Sequence, residues 1–302
     1  MPRPRSLLEL EHLSTDEITS FLKLARRMQS RPPKPLLRGK RIALLFYESS
    51  TRTRVSFEFA AKLLGTHTSI INASASSIEK GESLIDTGKT LQALGADCIV
   101  VRHPSSGAPH VLARNLRVPI INAGDGMHEH PSQGLLDAYT ILRHKKSLKG
   151  LRVTMIGDIR HSRVVRSNVH LLTKFGAQVV LCGPPELLPE YASSLAPGVK
   201  ISRHFEEAAR KADVLMMLRV QKERLAGLKL DADSYIAHYQ LTPERLKLAK
   251  SDALVMHPGP MIRGMEIQSE VADGPQAVIE EQVQNGVYVR MAILAICLGV
   301  AQ

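Results

Sequence analysis

Tryptophan is absent from the chain, and aromatic residues make up 4% of it. Single-stranded nucleic acids are usually held on aromatic stacking platforms, so the net charge of +11 is not expected to serve nucleic-acid binding. Cysteine is scarce. Cys98, Cys182 and Cys297 each sit in an apolar run, and none belongs to a CxxC pair. They read as buried, reduced thiols of a cytoplasmic protein, not as a disulfide framework or a zinc site. No hydrophobic run reaches the ~20 residues that span a bilayer. The longest nearly apolar stretch is 291–301, and the opening MPRPRSLLELEH lacks a signal-peptide core. Neither a membrane protein nor a secreted one is expected. The GxSxG elbow, the HExxH zinc motif and the GxGxxG fingerprint are missing. Gly88-Lys89-Thr90 mimics the tail of a P-loop, but Ser83 stands where that loop needs glycine. Leu84, Gly88 and Leu91 instead lie on one helical face.

What remains is the composition of an ordinary globular protein. The chain has 302 residues, 44% of them hydrophobic and 23% charged. That length suggests roughly two domains, each able to bury a core. Short apolar runs at 41–46, 67–71, 98–102, 119–122, 152–156, 178–182, 214–218 and 253–256 alternate with helical patterns. Continuous apolar runs are the mark of parallel strands covered on both faces, and the alternation predicts βαβ units. Ser14 and Glu17 predict a capping box, and Thr242-Pro243 a cap followed by a proline at the first helical position, in a helix expected to run to Leu248. Val55, Phe59 and Leu63 predict one apolar face on a helix over 53–64, with Arg54 and Glu58 as a surface pair. A helix over 131–144 marks the domain junction at its start, and the last helix is expected over 287–298.

Several polar clusters fall at predicted strand ends. Ser50-Thr51-Arg52-Thr53 opens a helix, where unpaired N–H groups and a partial positive charge attract anions. Three hydroxyls and a planar guanidinium add donors that suit phosphate. Arg102 closes the strand CIVV, and His130 with Gln133 stands at a helix entrance. His128 and His130 alone make a weak metal site, and none is expected there. Arg163 and Arg219 follow two later strands, and a pair of guanidinium groups suits a dicarboxylate. His257-Pro258-Gly259-Pro260 fixes a turn whose carbonyls can face a ligand. Taken singly, each of these is equally at home as a helix cap, a surface residue or a rigid connector.

Taken together they are specific. STRT at 50–53, Lys80-Gly81-Glu82, Arg102-His103-Pro104, His130-Pro131-Ser132-Gln133, Arg219-Val220-Gln221 and HPGP at 257–260 resemble the aspartate/ornithine carbamoyltransferase family, in order and spacing, over essentially the whole chain. GDIRHSR, RVQKER and HPGP are similar to its aspartate branch; the ornithine branch carries a DxxxSMG-type loop and HCLP instead. Ser132, where threonine is frequent, and Ile262 are small departures.

The resemblance implies an α/β fold of two parallel-sheet domains of similar size, with the active site in the cleft between them. Residues 1–131 would form a carbamoyl-phosphate-binding domain, with a C-terminal helix at 285–302 packing back on it, and 132–284 an aspartate-binding domain. It implies transfer of a carbamoyl group from carbamoyl phosphate to the α-amine of L-aspartate, a step of pyrimidine biosynthesis; the alternative acceptor is ornithine or a related amine. Ser50, Thr51, Arg52 and Thr53 would hold phosphate. Thr53, Arg102 and His130 would meet the carbonyl oxygen, and Gln133 with the backbone of Gly259 and Pro260 the carbamoyl amino group. Arg52, Thr53, Arg102 and His130 are the catalytic set. Lys80, Arg163, Arg219 and Gln221 would bind aspartate, with Ser76 and Lys80 lent by an adjacent subunit of a homotrimer. Glu48, with Arg163 and Arg224 as partners, would act in domain closure. No cofactor, metal, nucleic-acid or membrane partner is implied, and a larger complex with regulatory or pathway chains is compatible with the family.

Overall fold

The predicted apolar runs become strands, most of them buried on both faces of a sheet, while the run at 67–71 forms an exposed edge strand. The computed structural model describes residues 5–31, 34–72, 81–220 and 231–300, and all structural statements concern these. The chain divides into two units, Met1–Leu136 with Val283–Gln302, and Asp137–Gln282.

The first unit carries β1 (Arg41–Phe46), β2 (His67–Asn72), β3 (Cys98–His103) and β4 (Ile120–Asp125) in one sheet of order β2-β1-β3-β4. All three pairings are parallel. Its helices are α1 (Thr15–Ser30), α2 (Thr51–Leu63), α3 (Leu84–Ala93), α4 (Ala108–Asn115) and the start of α5 (Pro131–His144). Ala43, Leu45, Ile99, Val101, Leu112 and Ile120 pack one face of this core. The capping box predicted for α1 is present, with Ser14 accepting from the Glu17 N–H and Glu17 accepting from the Ser14 N–H. A cap of this kind contributes about 1 kcal/mol. Gly88 lies inside α3, where a β-carbon would come within 2.7 Å of Leu112 and 2.8 Å of Leu116. Its smallness serves packing of α3 on α4, not phosphate binding.

The second unit has β5 (Arg152–Ile156), β6 (Gln178–Cys182), β7 (Lys200–Ser202), β8 (Val214–Met217) and β9 (Leu254–Met256) in the parallel order β7-β6-β5-β8-β9. Strand β7 was not predicted, because three residues, KIS, are too short to show a period. The helices of this unit are α6 (Arg163–Lys174), α7 (Phe205–Ala209), α8 (Ala232–Tyr239), α9 (Pro243–Leu246) and α10 (Ser269–Ala272), with a 3-10 turn at Glu190–Leu195; α11 (Ile279–Cys297) begins in this unit and from Val283 belongs to the first. Ile156, Val180, Leu215, Met217, Tyr235 and Val255 are core residues.

Five local expectations are corrected. Helix α2 does not bury the Val55–Phe59–Leu63 face: Phe59 is 54% and Leu63 44% exposed. The buried face is Thr53, Ser56, Phe57, Ala60 and Ala61, where small residues let the helix lie close to its neighbours. Glu58 pairs with Lys62 at 2.6 Å, while Arg54 donates to Asn72 Oδ1 at 3.4 Å. Helix α9 stops at Leu246 rather than Leu248, and α11 starts at Ile279, well before 287. The unit division falls inside α5, between Leu136 and Asp137, not at its first residue.

Candidate active site

In an open parallel sheet, ligands bind beyond the carboxyl ends of the strands, where two neighbouring strands send their following chain in opposite directions. In the first unit the order β2-β1-β3-β4 puts that switch between β1 and β3. Phe46, the last residue of β1, is in register with Arg102 near the end of β3. The Tyr47 N–H then donates to the Arg102 carbonyl at 2.9 Å, so the two strand ends are tied together.

The residues singled out from the sequence gather at this point. Ser50 is the N-cap of α2, in extended backbone, yet its side chain makes no capping hydrogen bond. The first-turn N–H groups of α2 therefore have neither an intrahelical acceptor nor a cap to absorb them, which is the arrangement that favours an anion. Thr51 and Arg52 are exposed on this first turn, and Thr53 turns inward. Arg52 is exposed by area, although desolvation by the surrounding protein lowers its pKa; a guanidinium stays charged through such a shift. Thr53 Oγ1 lies 3.4 Å from His130 Nε2. On the other side of the ring, Ser132 Oγ is 3.5 Å from His130 Nδ1. Arg102 pairs with Glu48 through Nε at 3.2 Å and donates from Nη1 to the Ala123 carbonyl of β4 at 3.5 Å. Gln133 sits in the first turn of α5, its N–H 2.9 Å from the His130 carbonyl. Cationic donors, hydroxyls and an imidazole thus share the carboxyl edge of β1, β3 and β4.

The second unit repeats the arrangement. Its switch lies between β5 and β8. Gly157, directly after β5, has φ +134°, and a β-carbon there would meet the Leu218 carbonyl at 2.8 Å. Only glycine permits this close approach of the two strand ends. Arg163 begins α6 after β5, capped by Ser162, whose side chain accepts from the Val165 N–H at 3.2 Å. Arg219 is exposed two residues beyond β8. The HPGP turn follows β9, the next strand in the sheet. His257 is buried, and its Nδ1 accepts from the Gly259 N–H at 2.8 Å. A neutral ring accepting at Nδ1 carries its proton on Nε2, which faces Glu266 Oε1 at 3.6 Å.

Two buried carboxylates were not anticipated. Glu266 is fully buried and takes the Val220 N–H at 3.4 Å and the Ile262 N–H at 3.0 Å, so it ties the residue after Arg219 to the HPGP turn. Glu129 is buried beside His130 and accepts the Leu10 N–H at 3.0 Å and the Glu11 N–H at 3.1 Å. It anchors the N-terminal segment to the turn that presents His130. Neither stands in a periodic segment, so no pattern flags it. The buried aspartates Asp125 and Asp158, each paired with a histidine three residues on (His128 and His161), do have a readable spacing. Ser76, Lys80, Gln221 and Arg224 lie outside the described residues.

The fold and these strand-edge sites define an α/β protein of two parallel-sheet units, each presenting cationic donors at its switch point. Residues 5–143 match the family model described as aspartate/ornithine carbamoyltransferase, carbamoyl-P binding domain, and residues 149–297 the one described as aspartate/ornithine carbamoyltransferase, Asp/Orn binding domain. The chain belongs to the aspartate/ornithine carbamoyltransferase family. It is 62% identical, over 98% of each chain, to the aspartate carbamoyltransferase catalytic subunit of Koribacter versatilis. Aspartate transcarbamoylase from Trypanosoma cruzi, solved with carbamoyl aspartate and phosphate, is similar with a TM-score of 0.86 and 32% identity, covering 97% of this chain and 95% of that one. Ornithine carbamoyltransferase from Pyrococcus furiosus is similar with a TM-score of 0.87 and 30% identity, covering 98% and 97%. The backbone alone therefore does not separate the two branches.

Proposed function

We propose that this chain transfers the carbamoyl group of carbamoyl phosphate to the α-amine of L-aspartate, yielding N-carbamoyl-L-aspartate and phosphate. The observation that carries the choice of acceptor is the pair Arg163, at the start of α6, and Arg219, two residues past β8, which follow neighbouring strands β5 and β8. Two guanidinium groups on one sheet edge suit the two carboxylates of aspartate and repel the side-chain ammonium of ornithine. Lys80 and Gln221 complete the proposed aspartate set.

In this reading the first turn of α2, with Ser50, Thr51, Arg52 and Thr53, holds the phosphate. Thr53, Arg102 and His130 donate to the carbonyl oxygen, and Gln133 with the Gly259 and Pro260 backbone receives the carbamoyl amino group. The amine attacks the carbonyl carbon, a tetrahedral intermediate forms, and its collapse expels phosphate, which takes up the amine's proton. No covalent enzyme intermediate is needed. Holding the two reactants in attack geometry is worth about 7–11 kcal/mol. Each donor aimed at the developing oxyanion adds about 3–4 kcal/mol. His130 acts as donor, not base, because Arg52 and Arg102 disfavour an added positive charge on its ring.

The same reading includes a homotrimer in which a neighbour lends Ser76 and Lys80. Support comes from the first unit: Phe59, Leu63, Leu36 and Ile70 are exposed, and β2 is an edge strand of its sheet. An exposed apolar surface beside an open edge marks an interaction surface. Glu48 is proposed to act in closure with Arg163 and Arg224. We place the protein in the cytoplasm, in pyrimidine biosynthesis, alone or within a larger complex; no helix among the described residues is long and apolar enough to cross a membrane.

The test is phosphate release from carbamoyl phosphate with aspartate or ornithine as acceptor, together with the mass in solution. Turnover with aspartate and a three-chain mass are expected. Turnover with ornithine alone would overturn the assignment.

A further inference from the structure

The first unit also holds a group of metal-ligating side chains that none of the substrate assignments uses. Glu9 stands in the segment leading to α1, His110 in α4, and His128 in the turn after β4. One ligand atom from each lies within 4.8 Å of the others. Glu9 Oε2 is 3.1 Å from His110 Nε2 and 3.5 Å from His128 Nε2. A tetrahedral zinc ion with ligands at its usual bond lengths spaces them about 3.4 Å apart. The second oxygen of Glu9 is held by His12 Nδ1, which leaves Oε2 as its single inward ligand.

The surroundings are organised as well. His128 Nδ1 lies 3.1 Å from Asp125 Oδ2 and 3.2 Å from Oδ1. A carboxylate can only accept there, so Nδ1 carries a proton, and Nε2 is the ring nitrogen that faces Glu9 and binds a metal on losing its own proton. Asp125 is itself immobilised: it is fully buried and accepts from the Gly107 N–H at 2.7 Å, Asn122 Nδ2 at 2.8 Å and the Glu129 N–H at 3.1 Å. A carboxylate that fixes the ring orientation of a ligand histidine is the usual outer partner in a zinc site. The His110 and His128 rings meet edge to face at 5.5 Å, and each turns its Nε2 toward the same Glu9 oxygen.

We propose that Glu9, His110 and His128 bind one borderline divalent transition metal ion of the Zn²⁺ class. Water supplies the fourth position. Two imidazoles and one carboxylate match that class and are too poor in oxygen for Mg²⁺ or Ca²⁺. The ion ties the N-terminal segment, α4 and the β4–α5 turn together, and so acts as a structural clamp.

The experiment is equilibrium dialysis of the tag-free, full-length protein against Zn²⁺ at pH 8, with metal content measured by atomic emission. Replacing Zn²⁺ with Co²⁺ gives a visible spectrum that reports geometry. One ion per chain with intense tetrahedral Co²⁺ bands is expected. His110→Ala and Glu9→Gln each weaken binding at least tenfold and abolish the rise in melting temperature that Zn²⁺ produces. The Glu9 and His110 side chains are 20% and 25% exposed, and carbamoyltransferase activity of the metal-free variants verifies that they are folded. Binding well below one ion per chain, or folded variants that bind as tightly as the parent, would overturn the proposal.

Discussion

Glu48 Oε2 stands 3.2 Å from Arg102 Nε where the chain leaves β1 and β3. The pair sits beside the first turn of α2, so the carboxylate sets where the Arg102 guanidinium points. Arg102→Ala is expected to lower kcat about 10²–10³-fold, the cost of losing one donor to a developing oxyanion. Glu48→Gln keeps the side-chain shape and removes the charge, and should cost roughly tenfold. Steady-state kinetics at saturating aspartate decides it: equal losses in the two variants would place the catalytic weight on Glu48.

His130 meets Thr53 Oγ1 at 3.4 Å. If the ring donates rather than abstracts a proton, His130→Asn retains a donor and should keep more activity than His130→Ala. The pH–rate profiles of both variants should have the same limbs as the parent. Loss of an ionisation together with activity would assign His130 as the base.

Arg219 is exposed just beyond β8. Arg219→Ala should raise KM for aspartate by at least tenfold, with little change in KM for carbamoyl phosphate. Equal effects on both substrates would remove Arg219 from the acceptor side.

A shared site predicts complementation. Inactive Lys80→Ala and inactive Arg52→Ala chains, denatured together and refolded, should regain part of the parent's activity, because some hybrid sites carry neither change. Chromatographically verified hybrids that stay inactive would exclude a lysine lent by a neighbour.

Glu266 is fully buried and receives two backbone N–H groups. Glu266→Gln turns an acceptor into a partial donor facing those groups. A loss of roughly 2–4 kcal/mol is expected from leaving buried donors unsatisfied and removing charge-assisted bonds. Urea titration reads it as a lower midpoint at unchanged slope.

Burial pushes the Cys182 and Cys297 thiols up to about 12 and Cys98 well above the usual range. Thiolate, the reactive form, is then negligible at pH 8. A chromogenic disulfide reagent should label no cysteine in the folded protein and three after denaturation. Rapid native labelling would show that a strand end at Cys98 or Cys182, or the end of α11 at Cys297, opens.

The strands were legible because apolar runs such as RIALLF and QVVLC have one physical use in a chain of this composition, burial on both faces of a parallel sheet. The placement of the Ser50-Thr51-Arg52-Thr53 cluster at a strand-to-helix turn was legible for a similar reason: its hydroxyls and guanidinium are donors that suit an anion wherever the turn lies. The outward face of α2 was not, because Phe59 and Leu63 carry the same period whether they meet a core or another surface. What the sequence determined by itself was therefore the local chemistry: which segments are strands, which turns hold cationic donors, and which family the motifs resemble. The tertiary structure decided which of those turns share a sheet edge, as Phe46 and Arg102 do through their register. It also brought Glu9, His110 and His128 within ligand distance across more than a hundred residues of chain, and set Glu266 beneath two loops. Strand order and the satisfaction of buried polar groups are properties of long-range packing, and no spacing along the chain encodes them.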